Sequence, residues 1–138
     1  MVGTALVPGM AGATDTVEVD YMLNCQGCHL LDGSGFPERN VPSLTDHMAK
    51  FLWVDGGRAF LVQVPGAATS DLTDHRLAKV LNWMLQKFSA GHIPADFVPF
   101  SEDEVAGLRA TPLVNVSEVR AALIEKIDAL EKDKDTAP

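Results

Sequence analysis

Cysteine is scarce in this chain. There are two, Cys25 and Cys28, and both fall in one short motif, so no disulfide framework can be built elsewhere and no thiol is left over for a lipid anchor. Basic charge is also in deficit: 11 Lys and Arg stand against 19 Asp and Glu, a formal net charge of −8. Nothing resembles the basic stripe of a nucleic-acid-binding protein, although an acidic surface suits docking to a basic patch on a partner protein. Apolar runs stay well short of the roughly 18–20 residues that a membrane-spanning helix needs. No internal repeat is present. What remains is an ordinary globular balance, 46% apolar and 22% charged over 138 residues, which suits one compact domain.

The most specific stretch is Cys25-Gln26-Gly27-Cys28-His29. C-x-x-C-H is the attachment signature of c-type haem: the two thiols add across the vinyl groups, and the next imidazole meets the iron as proximal ligand. Two intervening residues let one helical turn present both sulfurs to one edge of the porphyrin. A redox dithiol leaves His29 without a role. A structural zinc site wants two further paired ligands, whereas His47, His75 and His92 are single and scattered. Attachment of this kind takes place on the oxidising side of the bacterial membrane, so export to the periplasm is expected. The uncharged, small-residue start ending in Ala11-Gly12-Ala13 has the shape of a signal-peptide tail or of a flexible leader, without a basic n-region.

Along the chain, Val17, Tyr21 and Met22 mark one face of a short helix leading into the motif. Residues 32–37 form a loop by composition, and Val41-Pro42 is extended. A helix over residues 47–54 is expected, stopped by Asp55-Gly56-Gly57. Residues 58–64 are apolar and are equally consistent with a strand or a short helix. Thr73 caps the clearest helix, whose stripe is Leu77, Val80, Leu81, Met84, Leu85 and Phe88. Ser101-x-x-Glu104 is a capping box opening a helix to about Arg109. Ser117 caps a last helix to about Leu130, with Val119, Leu123, Ile127 and Leu130 as its seam, followed by a solvated charge run.

This order of helix, C-x-x-C-H, glycine loop, proline loop and mid-chain helices resembles a class I c-type cytochrome. Tyr21-Met22-Leu23-Asn24-Cys25 resembles the aromatic helix leading into the haem motif, and the run from Leu77 to Leu85 around Trp83 resembles the last core helix. The resemblance implies an all-α cytochrome c-like fold wrapped around one covalent haem c, plus two C-terminal helices. It implies a leader over residues 1–16, a cytochrome core over 17–90 and a C-terminal extension over 91–138 packed on that core. It also implies that the Pro42 carbonyl takes the free N–H of His29, orienting the ring. The function implied is the transfer of single electrons between a periplasmic dehydrogenase and a downstream cytochrome or oxidase, without catalytic turnover.

One departure concerns the distal ligand. Class I members supply a methionine from the loop before the last core helix, and here residues 64–70 contain no Met, His or Lys. Met48 is the first candidate for the distal position, with His47 and Met84 as alternatives. A thioether raises the reduction potential and suits electron transfer, whereas an open site suits a haem enzyme or a small-ligand-binding protein. Arg58 is a candidate partner for a haem propionate, by guanidinium–carboxylate matching. Trp83 is expected to pack in the haem environment. Lys50 and Lys79 read as surface residues.

Overall fold

The computed structural model describes residues 16–136; the leader signals, Ala11-Gly12-Ala13 among them, lie outside them. Among the described residues the architecture is all-α, with 3₁₀ segments and a single isolated bridge between Phe36 and Val41.

Helix α1 (Thr16–Asn24) buries Val17 and Tyr21 as its spacing requires, but Met22 is 51% exposed. The inner face runs through positions 17, 20 and 21, at i, i+3 and i+4, so Asp20 takes the place expected of Met22. That buried carboxylate is neutralised by Arg76 of α5 (Asp74–Ser89), with both nitrogens of the fork engaged. Helix α5 is the spine of the fold. Thr73 Oγ1 accepts from Arg76 N at 3.3 Å, the cap expected from sequence, and all six stripe positions are buried. Tyr21 packs between Trp83 and Phe88, with ring centroids 5.2 and 5.3 Å away.

Between the motif helix α2 (Gln26–His29) and α5, the chain is short-stepped. Met48–Trp53 is a 3₁₀ helix rather than the α-helix expected over residues 47–54. It buries Met48, Ala49 and Phe51, and Phe51 stacks on Phe60 at 5.0 Å. The ambiguous run after it is helical, α3 (Gly57–Gln63). Its first residue must be glycine, because a Cβ there would strike the Phe51 carbonyl. A one-turn helix, α4 (Pro65–Ala68), follows with proline in its first turn, where the missing N–H costs nothing.

The C-terminal part closes over this core. Ser101 Oγ accepts from Glu104 N at 3.2 Å and opens α6 (Glu102–Arg109), which packs on α5 and α3. Arg109 then donates to the carbonyls of Ala68, Ser70 and Leu72 and to the Asp74 carboxylate, at 2.7–3.0 Å. One side chain thus pins the whole α4–α5 connection. Helix α7 (Val116–Thr136) starts one residue before Ser117, so Ser117 lies in its first turn and is not its N-cap. It also continues past Leu130, which is 37% exposed, through the charge run. Leu123 and Ile127 are buried as expected. The charge run is only partly solvated: Glu131 pairs with Lys50 at 2.5 Å, and Lys134 lies 3.8 Å over the Trp53 ring. Lys50, with 14% of its side chain exposed, is therefore a link between elements rather than a surface residue.

Candidate functional site

The motif is held by the backbone of its own neighbours. Cys25 N donates to Tyr21 O at 2.8 Å and His29 N to Cys25 O at 2.9 Å, so α1 runs directly into the single turn of α2. The turn ends at Leu30, which is forced to φ +63°. A non-glycine residue there is strained by about 1–3 kcal/mol, and the Tyr21 hydroxyl, donating to Leu30 O at 2.6 Å, holds it. The glycine loop then folds back. Gly35 N donates to His29 O at 3.1 Å, at φ +66°, and a Cβ on Gly35 would lie 2.6 Å from the Pro42 carbonyl. Glycine is thus what lets the proline segment approach His29.

Around this corner lies a cavity of about 520 Å³, within the range of cofactor and ligand sites. Cys25, Cys28, His29 and Pro42 line it together. Phe60, Leu61 and Val64 of α3 and its C-terminal cap, and Leu77, Val80 and Leu81 of α5, contribute to its apolar surface. Met48 and Met84 are both on the lining and both buried.

The electrostatics separate the readings of the cysteine pair. Burial pushes the Cys25 thiol up to about 11, with Asp20 and Cys28 adding to the rise. A reactive dithiol needs the opposite shift. Burial also lowers His29 below 6.5, against a smaller opposing pull from the Pro42 carbonyl. The imidazole is therefore neutral near pH 7, with a lone pair to offer a metal. Its Nδ1 is buried and completes no hydrogen bond of normal geometry. Among the described residues no group of three or more His, Cys, Asp or Glu side chains forms a metal cluster, so a zinc site has no third ligand of that kind.

Three expected site residues are elsewhere. His47 is exposed at the start of the 3₁₀ helix and is not on the lining, because the next position, Met48, takes the inward face. Arg58 makes a fork to Glu104 of α6, Nε to Oε1 at 2.5 Å and Nη2 to Oε2 at 2.8 Å, and lies 4.2 Å over the Phe100 ring. It is committed to holding α3 on α6 and does not line the cavity. Trp83 packs on Tyr21 and Phe88, behind the lining rather than on it. Conversely, Val116, Ser117, Arg120 and Ala121 of α7 do line the cavity. Hydrophobic periodicity did not single them out: Ser117 and Ala121 lie off the Val119–Leu123–Ile127 seam, Val116 precedes the helix start expected at Ser117, and Arg120 shares the seam's face but is charged.

No family model matches the chain. A cytochrome c-552 of Thermus thermophilus is 31% identical over 107 residues, an alignment that covers 64% of this chain and 81% of that protein. The cytochrome c-552 of a named strain of the same organism matches at the same identity and over the same share of this chain, with 72% of its own length covered.

The chain belongs to the c-type cytochromes.

This is a family of haem proteins of electron transfer, and the site fits such a group. A c-type cytochrome needs a large apolar cavity with thiols and a neutral imidazole on one stretch of wall, and Cys25, Cys28 and His29 stand together on the lining here. The two buried thioethers add donor chemistry suited to iron, and the buried His29 Nδ1 is left to the Pro42 carbonyl, which frees the other ring nitrogen to ligate. No helix of the described residues is long and apolar enough to cross a membrane.

Proposed function

We propose that this cytochrome is an exported, class I, monohaem electron carrier. Cys25 and Cys28 hold haem c covalently, and His29 is the proximal iron ligand. It passes single electrons from a dehydrogenase to a downstream cytochrome or oxidase. The observation that carries this reading is the shared cavity wall of Cys25, Cys28, His29 and Pro42. When bound, the haem supplies a reversible one-electron iron centre; the chain's own residues supply the rest. Burial keeps His29 neutral and able to ligate, and the Pro42 carbonyl beside it takes the ring N–H and sets the tautomer. The aliphatic surface of α3 and α5 excludes water, which shifts the balance between ferric and ferrous charge. Residues 17–90 form the cytochrome core and 91–138 an extension that covers it.

Met48 supplies the distal thioether in this reading, with Met84 as the alternative; both are buried on the lining. A second reading, an open distal site serving a haem enzyme or small-ligand binding, is favoured by one observation. The segment where class I members carry methionine contributes only Val64, Gly66, Ala67 and Ser70 to the cavity.

The pyridine haemochrome spectrum tests the attachment: one covalent haem per chain is expected, lost in Cys25→Ser with Cys28→Ser. A protein without it is not a c-type electron carrier. Carbon monoxide separates the two distal readings. Slow or absent binding to the ferrous protein is expected for thioether ligation, and rapid binding without denaturant favours the open site.

A further inference from the structure

Among the described residues, only one side chain on the cavity lining carries a fixed charge, Arg120 of α7; the remainder are aliphatic, aromatic, sulfur-bearing, amide, hydroxyl or small, with His29 neutral. The Arg120 Nε is buried and has no hydrogen-bond partner. Among the described residues, three other arginines that link elements are all matched to carboxylates: Arg58 to Glu104, Arg76 to Asp20 and Arg109 to Asp74. Arg120 makes no such pair. It also borders a groove on the outer side of α7, where Glu125, Asp128 and Asp133 line the surface without coming within ion-pair distance of it. It therefore stands where the cavity meets the exterior. A guanidinium with a buried, unpaired nitrogen is unfavourable. No side chain on the cavity lining is a carboxylate, so an incoming anion is what would satisfy it.

We propose that Arg120 is the anion-holding residue of the haem cavity and takes a carboxylate or similar oxyanion, so that the bound anion ties α7 to the site. This rests on the reading that haem fills the cavity. Guanidinium geometry matches a carboxylate through two parallel N–H donors. Two sources share that chemistry: a propionate of the haem itself, or a small free oxyanion admitted beside Gly66, Ala67 and Ser70. In either case the C-terminal extension is part of the cofactor site, and Arg120 does what the sequence suggested for Arg58.

The test uses the full-length holoprotein with Arg120→Gln and Arg120→Lys, after the haemochrome spectrum has established equal haem loading. If the anion is a propionate, Arg120→Gln lowers the midpoint potential, because a positive charge beside the ferric centre is lost. It also brings a propionate titration into the potential between about pH 5 and 8, where the wild type is flat. Arg120→Lys restores part of both. If the anion is free, the pH profile is unchanged and the affinity of the ferric protein for nitrite or formate falls about tenfold, the value of one charge-assisted hydrogen bond. Wild-type potential, pH profile and anion affinity in Arg120→Gln together overturn the inference and leave the haem reading intact. Absence of covalent haem from the wild-type protein overturns both.

Discussion

Arg58 separates a structural from a cofactor role cleanly. The perturbation is Arg58→Met, which keeps most of the length of the side chain and removes the guanidinium. The fork to Glu104 joins α3 to α6 through contacts of 2.5 and 2.8 Å, and the same group lies 4.2 Å over Phe100. A buried charge-assisted hydrogen bond contributes about 1.5–3 kcal/mol, whereas an exposed ion pair contributes about 0.2–1 kcal/mol. The side chains here are 33% and 30% exposed, so solvent screening places the pair near 1 kcal/mol. The cation–π contact adds about 0.5–1 kcal/mol. The expected loss of about 1.5 kcal/mol corresponds to a fall of roughly 6 °C in Tm for a chain of this size, read by circular dichroism on the holoprotein. Glu104→Gln should cost less, because it keeps a hydrogen-bond acceptor. The hydrogen bond from Arg58 holds the Glu104 carboxyl below its usual 4.5. A depressed folded pKa contributes stability that is present above about pH 4.5 and is lost as the pH falls through the folded value. The gap between wild type and Glu104→Gln should therefore close with acidification. The midpoint potential of Arg58→Met should stay at the wild-type value. A shifted potential with an unchanged Tm would refute the structural assignment and return Arg58 to the haem.

Four other outcomes follow from the geometry. Tyr21→Phe removes the donor to Leu30 O and should cost about 1 kcal/mol, measured by denaturant unfolding; an unchanged midpoint would mean that the strained Leu30 turn is held by other contacts. Burial raises the Tyr21 hydroxyl to about 12, so its stabilisation is complete below pH 10 and disappears above it as the unfolded chain ionises; Tyr21→Phe should blunt alkaline unfolding between those values. Met48→Ala should abolish the near-infrared thioether-to-iron band of the ferric protein while Met84→Ala keeps it, and the reverse pattern would assign Met84. Gly35→Ala sets a Cβ against the Pro42 carbonyl at a positive φ and should displace the proline segment from His29, visible as a changed potential and a Tm loss of several degrees. Wild-type values of both would show that the loop adapts.

The helices were legible where one face is buried and the ends are capped locally. α5 and α6 begin at Thr73 and Ser101 as read, since a cap and an apolar stripe are properties of adjacent residues. The cysteine–histidine motif was legible for the same reason, and the resemblance it anchors implied the all-α class. α3 was ambiguous because seven mostly apolar residues satisfy either period. The helix was chosen by Gly57, whose missing side chain admits the Phe51 carbonyl. α1 misled at Met22 because a buried Asp20 reads as a surface residue until Arg76 is found opposite it.

By itself, the sequence determined the capped helices α5 and α6, the place of the thiols and imidazole, and the lack of a methionine in residues 64–70, because these depend on near neighbours along the chain. Tertiary structure alone decided which arginine faces the cavity. Arg58 and Arg120 look alike in sequence; one meets Glu104 and Phe100, and the other meets an apolar wall without a carboxylate. A charge takes its function from what desolvates it and what stands opposite, and both are set by the packing of α6 and α7 over the core.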